Sequence, residues 1–324
     1  MQITVVIATH NRPALLREAI ASIEAQSFRE WEIVVVDDGS QPPVELESLS
    51  EMDVERIRLL RHEVPHGPSG ARNTGMRAAT GNLVTFLDDD DLFKPDALKR
   101  IDSAFQNEAG LDCLFFNVEL FGARAEGTRD NQDQALSQLF YKMDLPLPEN
   151  DGSIVQLDSE ALFIALLDHL PMAFQRVVIK RNMLEKVGLY RGRGFEDLEW
   201  YYRVVLHCQC AFQAEPLYLV RCEGQSYFSR IEAKKRLMET IIRIRESLLS
   251  LEEVSAKSKL HRLVGASLAK ANFNKAYFAH ESGQSFPWRN FFDSCEKGFY
   301  WRHFSLVGKV LISRIRQVLS PFRQ

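Results

Sequence analysis

The segment LVTFLDDDD, residues 83–91, joins a short apolar run to four consecutive aspartates. A continuous apolar run of this length is typical of a buried strand in a parallel sheet, because helices cover both faces of such a sheet. The same change from apolar to polar residues occurs twice upstream, where ITVVIA (3–8) precedes Thr9 and IVVV (33–36) precedes Asp37. We therefore predict that the three runs are strands of one sheet and that their polar ends share one rim.

Helical patterns separate the apolar runs. Apolar residues recur at helical spacing over 13–23, 69–79 and 95–105, and two further apolar runs cover 57–60 and 113–118. This alternation predicts an α/β fold with a mostly parallel sheet flanked by helices. Ligands of such sheets bind beyond the carboxyl ends of the strands, so the polar residues at those ends are the candidate site.

The second half of the chain is less regular. Residues 122–157 are polar and broken by prolines, which predicts a long loop with one short helix over 134–141. Helices are predicted over 159–167, from 182 and over 196–207, and strands over 176–179 and 217–221. From about residue 231 the pattern becomes helical to the end, so we predict two parts, 1–230 and 231–324.

Composition excludes several classes of protein. The chain has 324 residues, 45% of them hydrophobic and 26% charged, which excludes a largely disordered chain. The net charge of −4 argues against a general nucleic-acid binder, because such proteins carry a basic surplus. The sequence predicts neither a membrane-spanning helix nor a signal peptide, and its five cysteines lack metal or redox spacing. We expect reduced thiols in a cytoplasmic protein.

The negative charges of the four aspartates at 88–91 require a cation nearby. Like charges a few ångströms apart repel and raise one another's pKa, and a divalent cation relieves that repulsion. Carboxylate oxygens suit Mg²⁺ or Mn²⁺. The alternative is that these residues only provide an acidic start for the following helix. The local pattern leaves both interpretations open, although four carboxylates favour a metal site.

Polar residues after the other strands add to this rim. Thr9 is followed by Asn11 and Arg12, and Asp38 belongs to the turn DDGS (37–40). The segment GPSGARNTG (67–75) places Arg72 in a glycine-rich entry to a helix, but it matches neither the dinucleotide nor the P-loop phosphate signature.

Four motifs in order resemble those of family 2 glycosyltransferases: ITVVIATHNR (3–12), WEIVVVDDGS (31–40), GARNTG (70–75) and FLDDDD (86–91). The resemblance covers about the first 225 residues. It implies a GT-A-type, Rossmann-like fold over 1–230 with a helical C-terminal extension, a nucleotide-sugar donor, most simply a UDP-sugar, and Mn²⁺ or Mg²⁺ as cofactor. It implies that Asp90 holds the metal and that the following residues bind the nucleotide: Thr9, Asn11, Arg12, Asp38, Arg72, Asp88 and Asp89.

A second acidic motif, FEDLEW (195–200), follows VGLY (187–190) and resembles the family's catalytic-base motif. The resemblance implies that Asp197 is the general base of an inverting transfer, since a carboxylate can take the proton from an attacking hydroxyl. Glu199 and Arg203 stand at helical i, i+4 spacing, so Glu199 is expected to be structural.

The C-terminal residues are basic. From 297 to 324 there are six Lys or Arg residues and no acidic residue, with apolar residues at helical spacing: Val307, Leu311, Ile315, Val318 and Phe322. Such a helix can lie on an anionic membrane surface, or it can pack on its own domain. The first reading would place the protein at the cytoplasmic membrane face, near a lipid-linked acceptor.

The sequence thus predicts a glycosyltransferase that acts on a saccharide or lipid-linked saccharide in cell-surface polysaccharide or lipopolysaccharide synthesis. Two alternatives remain at this stage. A sugar-phosphate nucleotidyltransferase also uses an α/β sheet and acidic metal ligands, but it would carry a glycine-rich basic loop after the first strand. The other is a non-catalytic module that binds a nucleotide or sugar.

Overall fold

The computed structural model describes residues 1–49, 54–168, 171–191, 197–223, 230–282, 284–297 and 301–319. It divides into two compact units, Met1–Gln225 and Ser226–Gln324. The described strands all belong to the first unit: β1 (Ile3–Thr9), β2 (Trp31–Asp37), β3 (Ile57–Arg61), β4 (Leu83–Asp88), β5 (Leu92–Phe93), β6 (Cys113–Phe121), β7 (Ile154–Leu157), β8 (Val177–Lys180) and β9 (Cys210–Arg221).

Seven helices of the first unit lie within the described residues. They are α1 (Pro13–Glu24), α2 (Gly67–Ala78), α3 (Ala97–Asn107), α4 (Ala125–Lys142), α5 (Ser159–Leu166), α6 (Leu184–Val187) and α7 (Asp197–His207). Short 3-10 turns precede β3, β8 and α6, at Val54–Arg56, Met172–Gln175 and Arg181–Met183, and a further one lies at Leu46–Ser48.

The strands form one sheet in the order β3-β2-β1-β4-β8-β6-β9-β5 over the described residues, with β7 paired to β9. Strands β3, β2, β1 and β4 are parallel, and β6 is parallel to β9. The short strand β8 is antiparallel to both β4 and β6, so β6 again runs in the direction of β4. The prediction of an α/β fold with a mostly parallel sheet flanked by helices is confirmed.

Helices cover both faces of the parallel strands, as their continuous apolar runs require. Ile33 and Val35 of β2 belong to the main core cluster, which includes buried residues of α1 and α3. Val34 and Val36 point to the other face and pack with Ala71 of α2. Pro13 stands at the first turn of α1, where its missing N–H costs no helical hydrogen bond.

Two predictions for the second half were wrong. Residues 122–157 contain a helix of 18 residues, α4 (Ala125–Lys142), where a loop with a short helix was expected. Only the last two turns of α4 bury several apolar side chains (Ala135, Leu136, Leu139 and Phe140), so its first half carries no apolar periodicity to recognise. Strand β9 begins at Cys210, seven residues before its predicted start, because the strand continues through Pro216.

The second unit is helical in its described residues: α8 (Arg230–Ser250), α9 (Glu252–Ser255), α10 (Ser258–Glu281), α11 (Trp288–Lys297) and α12 (Trp301–Leu319). A small apolar cluster joins Ala276 of α10 to Phe291 of α11 and to Leu306 and Val310 of α12. Among the described residues, no helix is both long and apolar enough to cross a bilayer.

Candidate active site

Parallel register brings the polar strand ends together. Thr9 pairs with Asp37 across β1 and β2, and Ala8 pairs with Asp88 across β1 and β4. The Thr9 hydroxyl donates a hydrogen bond of 2.8 Å to the Asp89 carboxylate, although the two residues are 80 positions apart. The structure therefore places these polar groups on one rim, as the apolar runs predicted.

The four aspartates after β4 differ in exposure. Their side chains are 30% exposed at Asp88, 8% at Asp89, 36% at Asp90 and 4% at Asp91. Asp90 is thus the carboxylate that solvent reaches most easily. Within the described part of the chain, Arg12 is the one side chain that pairs with its carboxylate, at 2.9 Å.

Arginines from three separate segments pair with the aspartates and compensate part of their negative charge. Arg72 pairs with Asp88 at 2.6 Å, and Arg12 pairs with Asp89 at 3.1 Å. Arg176, which precedes β8, lies 3.2 Å from both Asp88 and Asp91. The sequence argument called for a cation beside the aspartates and named a divalent metal ion; it did not consider arginines from distant segments, which supply positive charge here.

Because of these contacts, the neighbouring carboxylates have different pKa values. Burial opposes ionisation of Asp88, but the charges of Arg72 and Arg176 outweigh it and lower the pKa of Asp88 to about 2. Burial and the nearby Asp88 charge raise the pKa of Asp91 to about 7, despite the presence of Arg176. Burial also raises the pKa of Asp89. Closely spaced carboxylates thus have opposite tendencies to hold a proton.

The carboxylate of Asp38 organises the start of α2. It accepts hydrogen bonds from the backbone N–H groups of His66, at 2.8 Å, and Gly67, at 2.7 Å, and lies 2.7 Å from His62 Nδ1. His62 Nε2 in turn lies 2.9 Å from the Thr74 hydroxyl. Asp38, predicted as a nucleoside contact, is buried and already has three partners within the protein.

Asn11 and Asp37 fix the loops that follow β1 and β2, next to the carboxylate of Asp38. Burial acts to raise the pKa of Asp37, but hydrogen bonds from Ser40, Val44 and Arg61 lower it below its usual value. Asn11 adopts a left-handed backbone with φ of 57°. Its N–H donates to the Ser40 hydroxyl at 2.9 Å, and its Oδ1 accepts from the Gln41 N–H at 2.7 Å.

A second set of contacts holds the segment that leads to α7. Asn73 of α2 makes two hydrogen bonds with the backbone of Tyr190: its Nδ2 donates to the carbonyl at 2.9 Å and its Oδ1 accepts from the N–H at 2.8 Å. Tyr190 stacks on Trp200 of α7 with ring centroids 4.7 Å apart. The glycine-rich helix start is thereby tied to the segment just before Asp197.

Inside α7, Arg203 completes this anchor. It pairs with Glu199 at 2.9 Å and donates to the backbone carbonyls of Val187 and Leu189. Glu199 is buried and paired, in keeping with its expected structural role. Asp197 is the first residue of α7, and its side chain lies outside the described residues, as does Glu196.

Sequence reasoning missed several residues that the fold brings to the rim. Arg176 is 88 residues from Asp88 in the chain, and Tyr218 of β9 lies beneath it with the guanidinium 4.8 Å from the ring centroid. The Tyr218 hydroxyl accepts a hydrogen bond from the Asp88 N–H at 2.8 Å. Neither residue belongs to a local motif, and the pairing of β8 and β9 follows no simple β-α alternation, so the sequence carried no signal for their place at the rim.

The described carboxylates do not form a complete metal site by themselves. Among the described residues, no three His, Cys, Asp or Glu side chains converge as a complete protein cage. Mg²⁺-type sites commonly use only one or two carboxylates and complete their shell with substrate phosphates and water. The exposed Asp90 carboxylate fits that kind of site, whereas Asp88, Asp89 and Asp91 are held by arginines and backbone groups.

Known proteins resemble the chain over this same region. Residues 4–143 match the sequence model of Glycosyl transferase family 2. Succinoglycan biosynthesis protein ExoW of Rhizobium meliloti is 28% identical over 250 residues, which cover 71% of this chain and 72% of that protein. A GalNAc(5)-diNAcBac-PP-undecaprenol beta-1,3-glucosyltransferase of Campylobacter jejuni is 39% identical over 103 residues, about a third of each protein's length (31% and 33%).

Solved structures share the fold. Staphylococcus aureus TarS 1–349 superposes with a TM-score of 0.61 at 17% identity, covering 92% of this chain and 81% of that one. The same protein has been solved with UDP-GlcNAc. A mannosyltransferase from Pyrobaculum calidifontis, solved with GDP-Man and Mn²⁺, superposes with a TM-score of 0.53 at 14% identity, covering 98% and 87%.

Proposed function

We propose that this chain, whose residues 4–143 match the family 2 glycosyltransferase model and whose fold is of the GT-A type, transfers one sugar from a UDP-sugar to a saccharide or lipid-linked saccharide. The product would belong to a cell-surface polysaccharide or lipopolysaccharide. ExoW is named for succinoglycan biosynthesis and the Campylobacter enzyme for a diphospho-undecaprenol acceptor, and both names support this assignment. TarS, whose fold this chain shares, was solved with UDP-GlcNAc, which supports a UDP-sugar donor.

One observation carries the proposal. The strand ends that bear Thr9, Asp38 and Asp88 meet at one rim, and Asn73 ties that rim to the segment before Asp197. A nucleotide-sugar donor at the rim and the general base Asp197 can therefore be held by one connected framework.

The donor side is assigned to residues of all four motifs. Thr9, Asn11 and Asp38 form the hydrogen-bonded floor of the nucleoside end through their contacts with Asp89, Ser40 and the start of α2. Arg12 and Arg72 provide guanidinium groups beside the aspartates, where a diphosphate would need positive charge. Asp88 and Asp89 keep those guanidinium groups in place and complete the nucleotide-binding set.

Asp90 is the residue proposed to hold Mn²⁺ or Mg²⁺. Its carboxylate is the most exposed of the four, and its contact with Arg12 is a single one. A divalent cation bound there would neutralise charge on the leaving diphosphate. The Mn²⁺ in the Pyrobaculum mannosyltransferase structure supports a metal-dependent reaction.

Asp197 is proposed as the general base. As the acceptor oxygen forms its bond to the anomeric carbon, the bond from that carbon to the diphosphate oxygen breaks, and Asp197 takes the hydroxyl proton. Attack from the face opposite the leaving group inverts the anomeric configuration. Arg203 and Trp200 of α7, through Leu189 and Tyr190, anchor the helix that begins at Asp197.

A peripheral position on the cytoplasmic membrane face would suit a lipid-linked acceptor. The described part of α12 exposes three large apolar side chains, Phe304, Leu311 and Ile312, in a segment without acidic residues. Basic residues accompany them, so an anionic lipid surface is the proposed contact. Val307 of the originally predicted stripe packs instead on the cluster with Phe291.

Transfer from radiolabelled UDP-glucose, UDP-galactose and UDP-GlcNAc to free and diphospholipid-linked saccharides tests the proposal. We expect transfer from one donor, and the Asp197→Asn variant should lose about 10²- to 10⁴-fold in kcat with unchanged UDP affinity, since proton transfer contributes that much. Asp130→Asn, an exposed change on α4, serves as the control. Wild-type rates in Asp197→Asn would contradict the assignment of the base. Formation of a nucleotide-sugar from a nucleoside triphosphate would favour the nucleotidyltransferase alternative.

A further inference from the structure

A cavity of about 310 Å³ lies between α4 and the second half of β6. Its remaining wall comes from Pro171 and Ala173, at the 3-10 turn before β8, and from Pro216 of β9. Six polar side chains line it: Asn117, Glu119, Arg129, Gln132, Asp133 and Asn150. The volume is at the lower end of the range of about 300–1,000 Å³ that small-molecule sites occupy.

The sheet topology places this cavity on the same rim as the aspartates that follow β4. Strand β6 runs in the same direction as β4, because both are antiparallel to β8. The segment Asn117–Leu120, near the end of β6, therefore emerges at the same rim as the aspartates after β4. In the strand order, β2 with Asp38 lies on one side of β4 and β6 lies on the other. The cavity is thus on the opposite side of the aspartates from the proposed nucleoside end.

Direct contacts link the cavity to the aspartates. Val118 of its wall pairs with Tyr218, whose hydroxyl accepts the Asp88 N–H. The 3-10 turn that contributes Ala173 leads straight into Arg176, which pairs with Asp88 and Asp91. The proposed base helix also reaches this turn, because the Tyr201 hydroxyl donates to the Gln175 carbonyl at 2.8 Å.

The charges of the lining point to an uncharged ligand. Glu119 is paired with Lys94 at 2.6 Å, which leaves one basic and one acidic side chain, Arg129 and Asp133, to balance each other. Arg129, Asp133 and Asn150 make no side-chain hydrogen bond or ion pair with the described part of the chain. They can therefore donate to and accept from ligand hydroxyls.

The apolar part of the lining is aliphatic. It consists of valine, leucine, proline and alanine side chains, and it contains no aromatic ring on which a nucleobase would stack. Aliphatic surface suits the C–H face of a pyranose ring, while amide, carboxylate and guanidinium groups suit its hydroxyls. The same lining carries a single basic side chain, Arg129, which Asp133 balances, so it is a poor match for a diphosphate.

We propose that this cavity binds the terminal sugar of the acceptor, a neutral hexose or N-acetylhexosamine, and holds it against the aspartate rim. This assignment rests on the proposed function, because only a transferase has an acceptor. It gives α4 a role in acceptor recognition and separates the acceptor from the donor along the strand order.

The test is saturation-transfer NMR of the full chain with the methyl β-glycosides of glucose, galactose, N-acetylglucosamine and mannose, each with UDP and Mn²⁺ present. At least one glycoside should receive saturation, and Asp133→Ala should weaken its binding about tenfold, as expected when a hydrogen bond to a charged group is lost. Asp130→Ala is the matched control, because Asp130 is also an exposed aspartate of α4 but does not line the cavity. Ala173→Trp fills the cavity and should abolish the signal.

Calorimetric titration with UDP and Mn²⁺ separates the two proposals. Unchanged UDP binding in Asp133→Ala and Ala173→Trp, together with lost glycoside binding, would support the cavity as an acceptor site. Glycoside binding that is equal in wild type, Asp133→Ala and Asp130→Ala would overturn it, as would the absence of saturation for all four glycosides while UDP binds. Absence of UDP binding would instead contradict the proposed function.

Discussion

Asp88 and Asp91 share one arginine, Arg176, but their pKa values shift in opposite directions. Arg176 lies 3.2 Å from both Asp88 and Asp91, yet the pKa of Asp88 falls to about 2 and that of Asp91 rises to about 7. The difference follows from the second arginine, since Arg72 pairs with Asp88 alone. Asp91 is more deeply buried and carries the repulsion of its neighbours, so its neutral form is favoured near neutrality.

These shifts predict a stability maximum on the acid side of neutrality. The folded chain holds the Asp91 proton up to about pH 7, whereas an unfolded aspartate releases it near about pH 3.9, so the free energy of unfolding should fall as pH rises from 4 to 7. The stabilisation from Asp88 acts oppositely: it is complete above about pH 4 and is lost as pH falls towards 2.

Urea denaturation of metal-free protein between pH 4 and pH 8 measures this dependence. We expect Asp91→Asn to flatten the decline between pH 4 and 7, because asparagine has no proton to release. The exposed Asp130→Asn should leave the wild-type slope intact. A slope in Asp91→Asn as steep as that of the wild type would show that other groups cause the decline.

At the scale of elements, close approach between α2 and β1 fixes the site. A Cβ added to Gly75 would lie 2.2 Å from Cγ1 of Val6, so the helix can lie where it does only because residue 75 is glycine. This contact sets the position of Arg72 and Asn73, which face the aspartates and Tyr190 respectively. A substitution at Gly75 should therefore displace both Arg72, which faces the aspartates, and Asn73, which holds Tyr190.

Gly75→Ala should destabilise the chain by about 1–3 kcal/mol, as overpacking in a tight contact does. UDP affinity should fall with it, because Arg72 moves with the helix. Gly127→Ala on α4 is the matched control: a Cβ there meets nothing within 4 Å, and alanine should be neutral or stabilise the helix by up to about 1 kcal/mol. Equal unfolding midpoints for Gly75→Ala and wild type would contradict the account of this contact.

The elements also show what the sequence can and cannot predict. Strands β1, β2 and β4 and helix α2 were predictable, because unbroken apolar runs and helical spacing are local signals. Helix α4 was not, since its first half is polar on all sides. The rim residues in ordered motifs were predictable too. Arg176 and Tyr218 were not, because pairing through an antiparallel β8 and an edge β5 depends on long-range topology rather than on local pattern.

At the scale of the whole molecule, the helical second unit carries an exposed apolar surface. Phe304, Leu311 and Ile312 of α12 are 61%, 51% and 54% exposed, while Leu306 and Val310 of the same helix are buried in its own core. One apolar side of α12 thus packs within the second unit, and because 297–324 is basic we propose that its solvent-exposed apolar side chains contact an anionic lipid surface.

Co-sedimentation with vesicles tests this surface. Wild-type protein should bind vesicles of phosphatidylglycerol and phosphatidylethanolamine, and the double variant Phe304→Glu, Leu311→Glu should sediment no more than with phosphatidylcholine alone, because it adds charge to the contact. Tyr141→Glu, which changes an 84% exposed aromatic residue of α4, is the control. Binding of the double variant at the wild-type level would exclude α12 as the membrane contact.

The central claim is that the aspartate rim binds a nucleoside diphosphate together with a divalent cation. Thermal unfolding with UDP, GDP, CDP or dTDP, each with and without Mn²⁺, tests it most directly. We expect UDP with Mn²⁺ to raise the Tm of wild type, since a ligand at a hundred times its Kd stabilises the folded state by about 2.7 kcal/mol. Asp90→Ala should lose the part of the shift that depends on Mn²⁺. A Tm unchanged by every nucleotide, or a metal-dependent shift of equal size in Asp90→Ala, would contradict the account.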